Sequence, residues 1–347
     1  MRARADAPTL DREMRRLWQG LAFLVLVAAD EQCQDDSSLD LHSTWETLDN
    51  FKRAELYLQS AAAGTLGEEL TSCAKLIEVD TFDEGGNLIR GAAAATDLSP
   101  SVVCTIGEGA VLDMSVGVRR MLSQSLGDQP ELSREIASFE SLVLNPSEER
   151  SLLTLILMRE AGRQRSPLMP YFRAFLEGAH EHNPASWDPA SADGAARRRA
   201  LAEQTGGHAL LKGGDMLRSA VADFYAALVP RALAELPLLL LGDGVDAAEY
   251  YSLQRFTEVW LSIRSRSFDD GNFGVIVPLA CLLNHPSDNG DSNVVLSYSA
   301  QRRGFDMRVT RPIKRGEQLT NSYGAGLCRE RALLVYGFVT DIMPPCY

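Results

Sequence analysis

"PLACLLNHPSDNGDSN", residues 278–293, carries a buried-looking apolar run into a pair of polar residues. Val277 to Leu283 has the composition of a core segment, and such a segment ordinarily stops on a turn former. Asn284 and His285 do more than stop it, because they set an amide and an imidazole at the edge of an apolar layer. Taken alone, the pair reads as a cap followed by a satisfied core histidine. A polar loop follows, then "SNVVLSYS" and "GFDMRVTR" around Gln301-Arg302-Arg303-Gly304, which predict a β-hairpin.

Upstream, "LIEVDTF" (76–82) and "SVVCTI" (101–106) are further β-like pieces, with turns at Asp83-Glu84-Gly85-Gly86 and Ser99-Pro100. Helical patterning separates these two β-rich parts. "PSEERSLLTLILMREAG" (146–162) predicts a helix with Ser147 as N-cap and an apolar face of Leu152, Leu153, Ile156 and Leu157. Residues 183–214, rich in Ala, Asp, Gly and Arg, read as an irregular connection, followed by helices near 215–237 and 246–265. Residues 1–70 read as mostly helical. Two halves of one β unit split by helices predict an α+β fold, and neither half has enough strands to be stable alone.

The chain of 347 residues has the composition of a globular protein, 45% hydrophobic and 23% charged. Its formal net charge of −13 argues against a nucleic-acid partner, which would need clustered Lys and Arg. A basic protein segment suits it better. The cysteines (Cys33, Cys73, Cys104, Cys281, Cys328 and Cys346) form no CxxC pair and no cluster with histidine. That pattern predicts no metal site, and reduced thiols in an intracellular protein. The choice between plastid and cytoplasm or nucleus stays open. Leu21 to Ala29, "LAFLVLVAA", is too short to span a membrane comfortably. Two readings of it stand: the apolar core of a targeting peptide, or one face of an amphipathic helix.

Five stretches belong together: "NLIRGAAAATDLSPSVV" (87–103), "WLSIRSRSF" (260–268), "PLACLLNH" (278–285), "IKRGEQLTNSYG" (313–324) and "LLVYGF" (333–338). In this order and spacing the chain resembles the SET-domain methyltransferases, in the branch of the Rubisco large-subunit lysine methyltransferase. "MREAGRQRSPLMPYFRAFL" (158–176) resembles that branch's helical insert. The resemblance runs from about Leu76 to Val339. It implies a split, β-rich SET domain over 71–340 with small sheets and a threaded, knot-like C-terminal segment. A helical insert at about 112–262 would interrupt it, after an N-terminal segment 1–70 and before a tail 341–347. The branch carries a C-terminal substrate-binding domain after this motif, whereas nine residues follow Phe338 here, so two expectations stand: a fragment, or a substrate chosen without that domain.

The resemblance implies an S-adenosylmethionine-dependent protein-lysine N-methyltransferase whose partner is a protein with an accessible lysine, with no nucleic acid and no membrane span. Methyl transfer from a sulfonium to an amine is an in-line displacement that needs positioning and no metal. By resemblance Leu88, Ile89 and Arg90 offer main-chain contacts to the cofactor, while Arg266, Asn284 and His285 also bind it. Asn284 offers both donor and acceptor to the cofactor's amino-acid end. Tyr323 and Tyr336 match the catalytic and channel tyrosines. Arg266, Phe268, Cys281, Tyr323 and Tyr336 face the substrate. Arg264 is expected to be a solvated or salt-bridged helix end. Phe268 gives an apolar wall that suits a lysine stem, and it is the feature against the alternative of a histidine methyltransferase. Cys281 stands where many relatives carry an acid, so a third reading is a catalytically silent binding module.

Overall fold

The computed structural model describes residues 49–63, 68–84, 87–112, 134–135, 146–161, 169–204, 206–241, 250–268, 275–286, 292–324, 326–339, 343, 344 and 346. The apolar run Leu21–Ala29 and Cys33 lie outside the described residues. Two compact units divide the chain: one of residues 1–111 with 277–322, the other of 112–276 with 323–347.

The first unit opens with helices α1 (Asn50–Ala62) and α2 (Glu68–Ala74). Asp49 caps α1 by accepting from Lys52 N at 2.8 Å. Strands β1 (Ile77–Glu84) and β2 (Asn87–Ala94) form an antiparallel pair, and β3 spans Ser101–Gly107. The hairpin expected downstream is present as β6 (Val294–Ser299) and β7 (Gly304–Val309), with Ser299 opposite Gly304. A two-residue strand, β8 (Gln318–Leu319), pairs with β2, giving one sheet in the order β1-β2-β8 and a second in the order β3-β7-β6.

Small side chains let β2 sit in the middle. Ala92, Ala93 and Ala94 are buried, and the turn Ala280–Leu282 packs against the strand. Asp306 on β7 is buried without an unpaired charge, since Thr105 Oγ1 donates to it at 2.8 Å and Arg302 pairs with it.

The segment after β8 is gripped from two sides. Asn321 N donates to Asn284 O at 2.9 Å, and Val294 N donates to Thr320 O at 3.0 Å. Both bridges are parallel, so the segment runs between the two ends of stretch 284–294. The resemblance implies a threaded segment here, and the loop 287–291 that would enclose it lies outside the described residues.

The second unit is mainly helical. It contains α3 (Pro146–Ala161), α4 (Ala192–Ala202), α5 (Gly207–Glu235), α6 (Pro237–Leu241) and α7 (Leu253–Arg266). The pair β4 (Ser267–Phe268) and β5 (Val275–Ile276) follows, with α8 (Arg329–Arg331) and the π-turn Ala332–Tyr336 later in the chain. The predicted face of α3 is buried, but so are Ser151, Thr154, Leu155, Met158 and Glu160, so the helix is enclosed on every side rather than along one stripe. Among the described residues no helix is long and apolar enough to cross a membrane.

Three local expectations are corrected. The helix α3 begins at Pro146, so Ser147 lies inside the first turn; proline's fixed φ suits that first position. Residues 183–214 are not irregular: Ser191 caps α4 through Gly194 N at 3.0 Å, and α5 starts at Gly207 rather than near 215. Gly213 and Gly214 look like breakers but are packing positions, where a Cβ would stand 2.7 Å from Leu334 and 2.8 Å from Pro184. The last helix of this group opens at Leu253, capped by Ser252, with 242–249 outside the described residues.

The cysteines also depart from expectation. Cys73 is bonded to Cys104 and Cys328 to Cys346, while Cys281 is a buried free thiol. Sequence separations of 31 and 18 conceal that α2 packs on β3 and that α8 meets the 343–346 segment.

Candidate functional site

In the first unit, Asn284 answers the question raised by its position at the end of an apolar run. Its side-chain Nδ2 donates to Arg90 O on β2 at 3.1 Å, while its carbonyl accepts from Asn321. One residue therefore joins β2, the apolar turn and the threaded segment. With Nδ2 on Arg90 O, the amide's Oδ1 has no donor among the described residues. Gly91 is required by this contact: a Cβ there would lie 2.5 Å from Asn284 Nδ2 and 3.1 Å from the Phe82 ring.

The approach to Asn284 is strained. Leu279, fully buried, has φ 67° and starts the turn Ala280–Leu282. A positive φ in a bulky non-glycine residue is unfavourable and persists only where the surroundings impose it. Cys281 sits in this turn, 4% exposed, with its thiol donating to Val277 O at 3.4 Å. His285 is buried, and burial holds its imidazole below the ordinary histidine pKa.

Asn293 was missed in the sequence. It is 2% exposed; its Nδ2 donates to Gln318 O and its Oδ1 accepts from Thr320 N, both at 2.8 Å. It thus clamps β8 and the residue after it. An asparagine inside "SDNGDSN" looks like an ordinary loop former, and no local pattern links it to a partner 25 residues later.

In the second unit, Tyr323 and Tyr336 come together. Their ring centroids are 4.5 Å apart, and the Tyr336 hydroxyl donates to Tyr323 O at 3.4 Å. Phe338 completes the aromatic group at 6.0 Å from Tyr323 and 6.3 Å from Tyr336. All three pack on Leu327, Ala332 and Met343 and stay partly exposed. The glycines after each tyrosine explain the Tyr-Gly pattern: Gly324 has φ 122° and Gly337 φ 80°, conformations that L side chains rarely adopt. Gly337 also ends the π-turn in the left-handed form.

Arg266 closes α7, and Phe268 follows on β4 opposite Val275. Both are half-buried. Arg264, two residues earlier in the motif, is half-buried and forms no salt bridge among the described residues. Its guanidinium lies over the Trp260 ring, 5.7 Å from the centroid, and burial pushes its pKa down to about 10. The chemistry on offer is then, in one unit, main-chain groups and an amide, and in the other, two half-buried phenols beside an apolar ring.

A SET-domain family model matches residues 100–324, more than half of the chain. Among solved structures, the SET domain of LSMT bound to lysine and AdoHcy is similar with a TM-score of 0.56 and 20% identity. That alignment covers 88% of this chain and 58% of the other. Rubisco LSMT bound to sinefungin and monomethyllysine gives a TM-score of 0.51 and 18% identity, over 88% and 57% of the two chains. At such identities the likeness speaks for the fold, and this chain spans little more than half the length of those proteins. No curated protein matches the chain in sequence.

Proposed function

The chain belongs to the SET-domain family, and from that premise we propose that it is an S-adenosylmethionine-dependent protein-lysine N-methyltransferase. The observation that carries this reading is the partly open pair Tyr323 and Tyr336, 4.5 Å apart and held by left-handed glycines. An aromatic pair serving only the core would be fully enclosed, whereas both tyrosines here keep part of their surface exposed.

The donor set of the first unit fits the cofactor. Asn284 Oδ1 is a ready acceptor for the ammonium of an amino-acid end, and the β2 main chain at Leu88, Ile89 and Arg90 offers further polar groups. His285, neutral by burial, adds no charge there. In the second unit, taken by itself, Arg266 is a cation of the kind that suits a carboxylate. When bound, S-adenosylmethionine supplies a methyl group activated on a sulfonium.

The chain's own residues then have to orient a neutral amine. The Tyr323 hydroxyl accepts weak C–H···O contacts and aligns the amine lone pair, and Tyr336 borders the same opening. Phe268 gives an aliphatic stem an apolar wall, whereas an imidazole acceptor would call for a polar partner at that position. The structures of LSMT with lysine and of Rubisco LSMT with monomethyllysine support a lysine acceptor in the same sense. Incubation with labelled S-adenosylmethionine and a lysine-rich protein mixture tests the reading. Methyl groups on lysine Nζ support it; methylhistidine as the dominant product overturns the choice of acceptor.

A further inference from the structure

Asn183 is a buried polar side chain that the proposed activity leaves unused. It is 3% exposed and caps the short turn Pro184–Ser186, its Oδ1 accepting from Ala185 N at 3.0 Å. Its Nδ2 donates to Leu334 O, also at 3.0 Å and 151 residues later in the chain. An N–H on one side and a carbonyl on the other fix which end of the amide is which, since the flipped amide would serve neither. Both partners lie in the second unit.

Leu334 is the middle residue of the π-turn Ala332–Tyr336, which carries Tyr336 at its end. The carbonyls of a last helical turn need partners from outside the helix's own ladder. In the common glycine-ended helix, the N–H of the left-handed residue, here Gly337, would close on Leu334 O. The π-turn is wider, and both closing bonds move back along it: Gly337 N donates to Leu333 O at 3.1 Å, and Phe338 N to Ala332 O at 3.5 Å. Leu334 O is thereby left to the Asn183 amide. The Leu334 side chain is seated on α5, where a Cβ on Gly213 would stand 2.7 Å from it. The Asn183 turn is anchored on the same helix. Arg218 Nε donates to Ala185 O at 2.9 Å, and Pro184 fills the space that a Cβ on Gly214 would need. The amide therefore ties the π-turn to a fixed support.

We propose that Asn183 is a positioning residue for Tyr336. By holding Leu334 O it keeps the turn in its π form, and with it the Tyr336 ring 4.5 Å from Tyr323 and the hydroxyl on Tyr323 O. It acts through the main chain and not on the substrate. The consequence for rate rests on the proposed methyltransferase reading, in which Tyr336 works beside Tyr323. Displacing an orienting group weakens the transition state more than the bound cofactor, and a shift of about 1 Å can cost roughly 100-fold in rate.

Fluorine NMR of the full chain labelled with fluorotyrosine tests this, with the two resonances assigned from Tyr336→Phe and Tyr323→Phe. Asn183→Ser keeps an oxygen for Ala185 N and removes the amide donor. Ser191→Ala, which removes the cap of α4 in the same unit, controls for a general loss of stability. The expected result is a displaced Tyr336 resonance in Asn183→Ser and an unchanged one in Ser191→Ala. In methyl transfer, kcat of Asn183→Ser should fall at least about fivefold while the Kd for S-adenosylmethionine stays the same. In a Tyr336→Phe background the same substitution should change kcat by under about twofold, because the group it positions is already gone. If Asn183→Ser does not fold at the assay temperature, Asn183→Asp replaces it with the same expectations, since it keeps the cap and sets an acceptor against Leu334 O. A wild-type Tyr336 resonance in the folded variant, an equal displacement in Ser191→Ala, or undiminished kcat beside an active wild type would each overturn the assignment. A displaced resonance with no methyl transfer by wild type would support the positioning and overturn the activity instead.

Discussion

Replacing Gly91 by alanine probes the joint between β2 and Asn284. The new Cβ would meet Asn284 Nδ2 at 2.5 Å and the Phe82 ring at 3.1 Å. The amide has to leave, and its 3.1 Å bond to Arg90 O goes with it. Overpacking costs about 1–3 kcal/mol and a lost hydrogen bond about 1 kcal/mol, so Gly91→Ala should lower the unfolding free energy by about 2–4 kcal/mol. Asn284→Ala alone should cost about 1–2 kcal/mol, since its main-chain contact to Asn321 survives. With Asn284 already truncated, only the Phe82 contact opposes the methyl group, and the added cost should fall to about 1 kcal/mol. Urea unfolding of the four proteins should therefore give a coupling of about 1–3 kcal/mol. Strict additivity would show that Asn284 does not occupy the space above Gly91, and with it the explanation of the Arg-Gly and Asn-His motifs would fail.

His285 titrates below its ordinary value of 6.5 because it is buried, so the unfolded chain takes up that proton first as pH falls. Stability present above about 6.5 should decline as pH drops through the lower folded value, and His285→Gln should flatten that slope in denaturant titrations at several pH values. His180, also held down by burial, keeps its own share of the slope in the variant. For the Cys328–Cys346 bridge, Cys346→Ser should cost the oxidised protein about 3 kcal/mol, as expected for a cross-link closing a short loop. Melts with and without reductant check this, since reduction should then matter only through Cys73–Cys104.

Legibility from sequence followed the range of the interactions involved. The β6–β7 hairpin was visible because alternation and a polar four-residue turn are local signals. The two-residue β8 was not, because its strand character comes from Asn293, Asn284 and β2, which are distant in the chain. Residues 183–214 were misjudged because glycine suggests loops unless the partner filling the missing Cβ space is known, as Pro184 is for Gly214. The motif tyrosines were found from the family resemblance, and the positive φ angles at Gly324 and Gly337 supply a physical reason for the glycine after each. Arg264 was misread because charge at a helix end usually faces water. Nothing in "WLSIRSRSF" reveals that Trp260 lies under it.

The most direct test of the central claim is methyl transfer by Tyr323→Phe beside wild type, measured with labelled S-adenosylmethionine and a lysine-bearing protein acceptor. The substitution removes one hydroxyl and keeps the ring against Tyr336 and Phe338. An interaction made chiefly in the transition state should appear in kcat and leave cofactor affinity unchanged. We expect label on lysine Nζ in wild type, with kcat at least about tenfold lower in the variant. The Kd for S-adenosylmethionine and the Tm should be nearly the same in both. Full turnover in a folded Tyr323→Phe, or no transfer to any amine by wild type, would contradict the proposed activity.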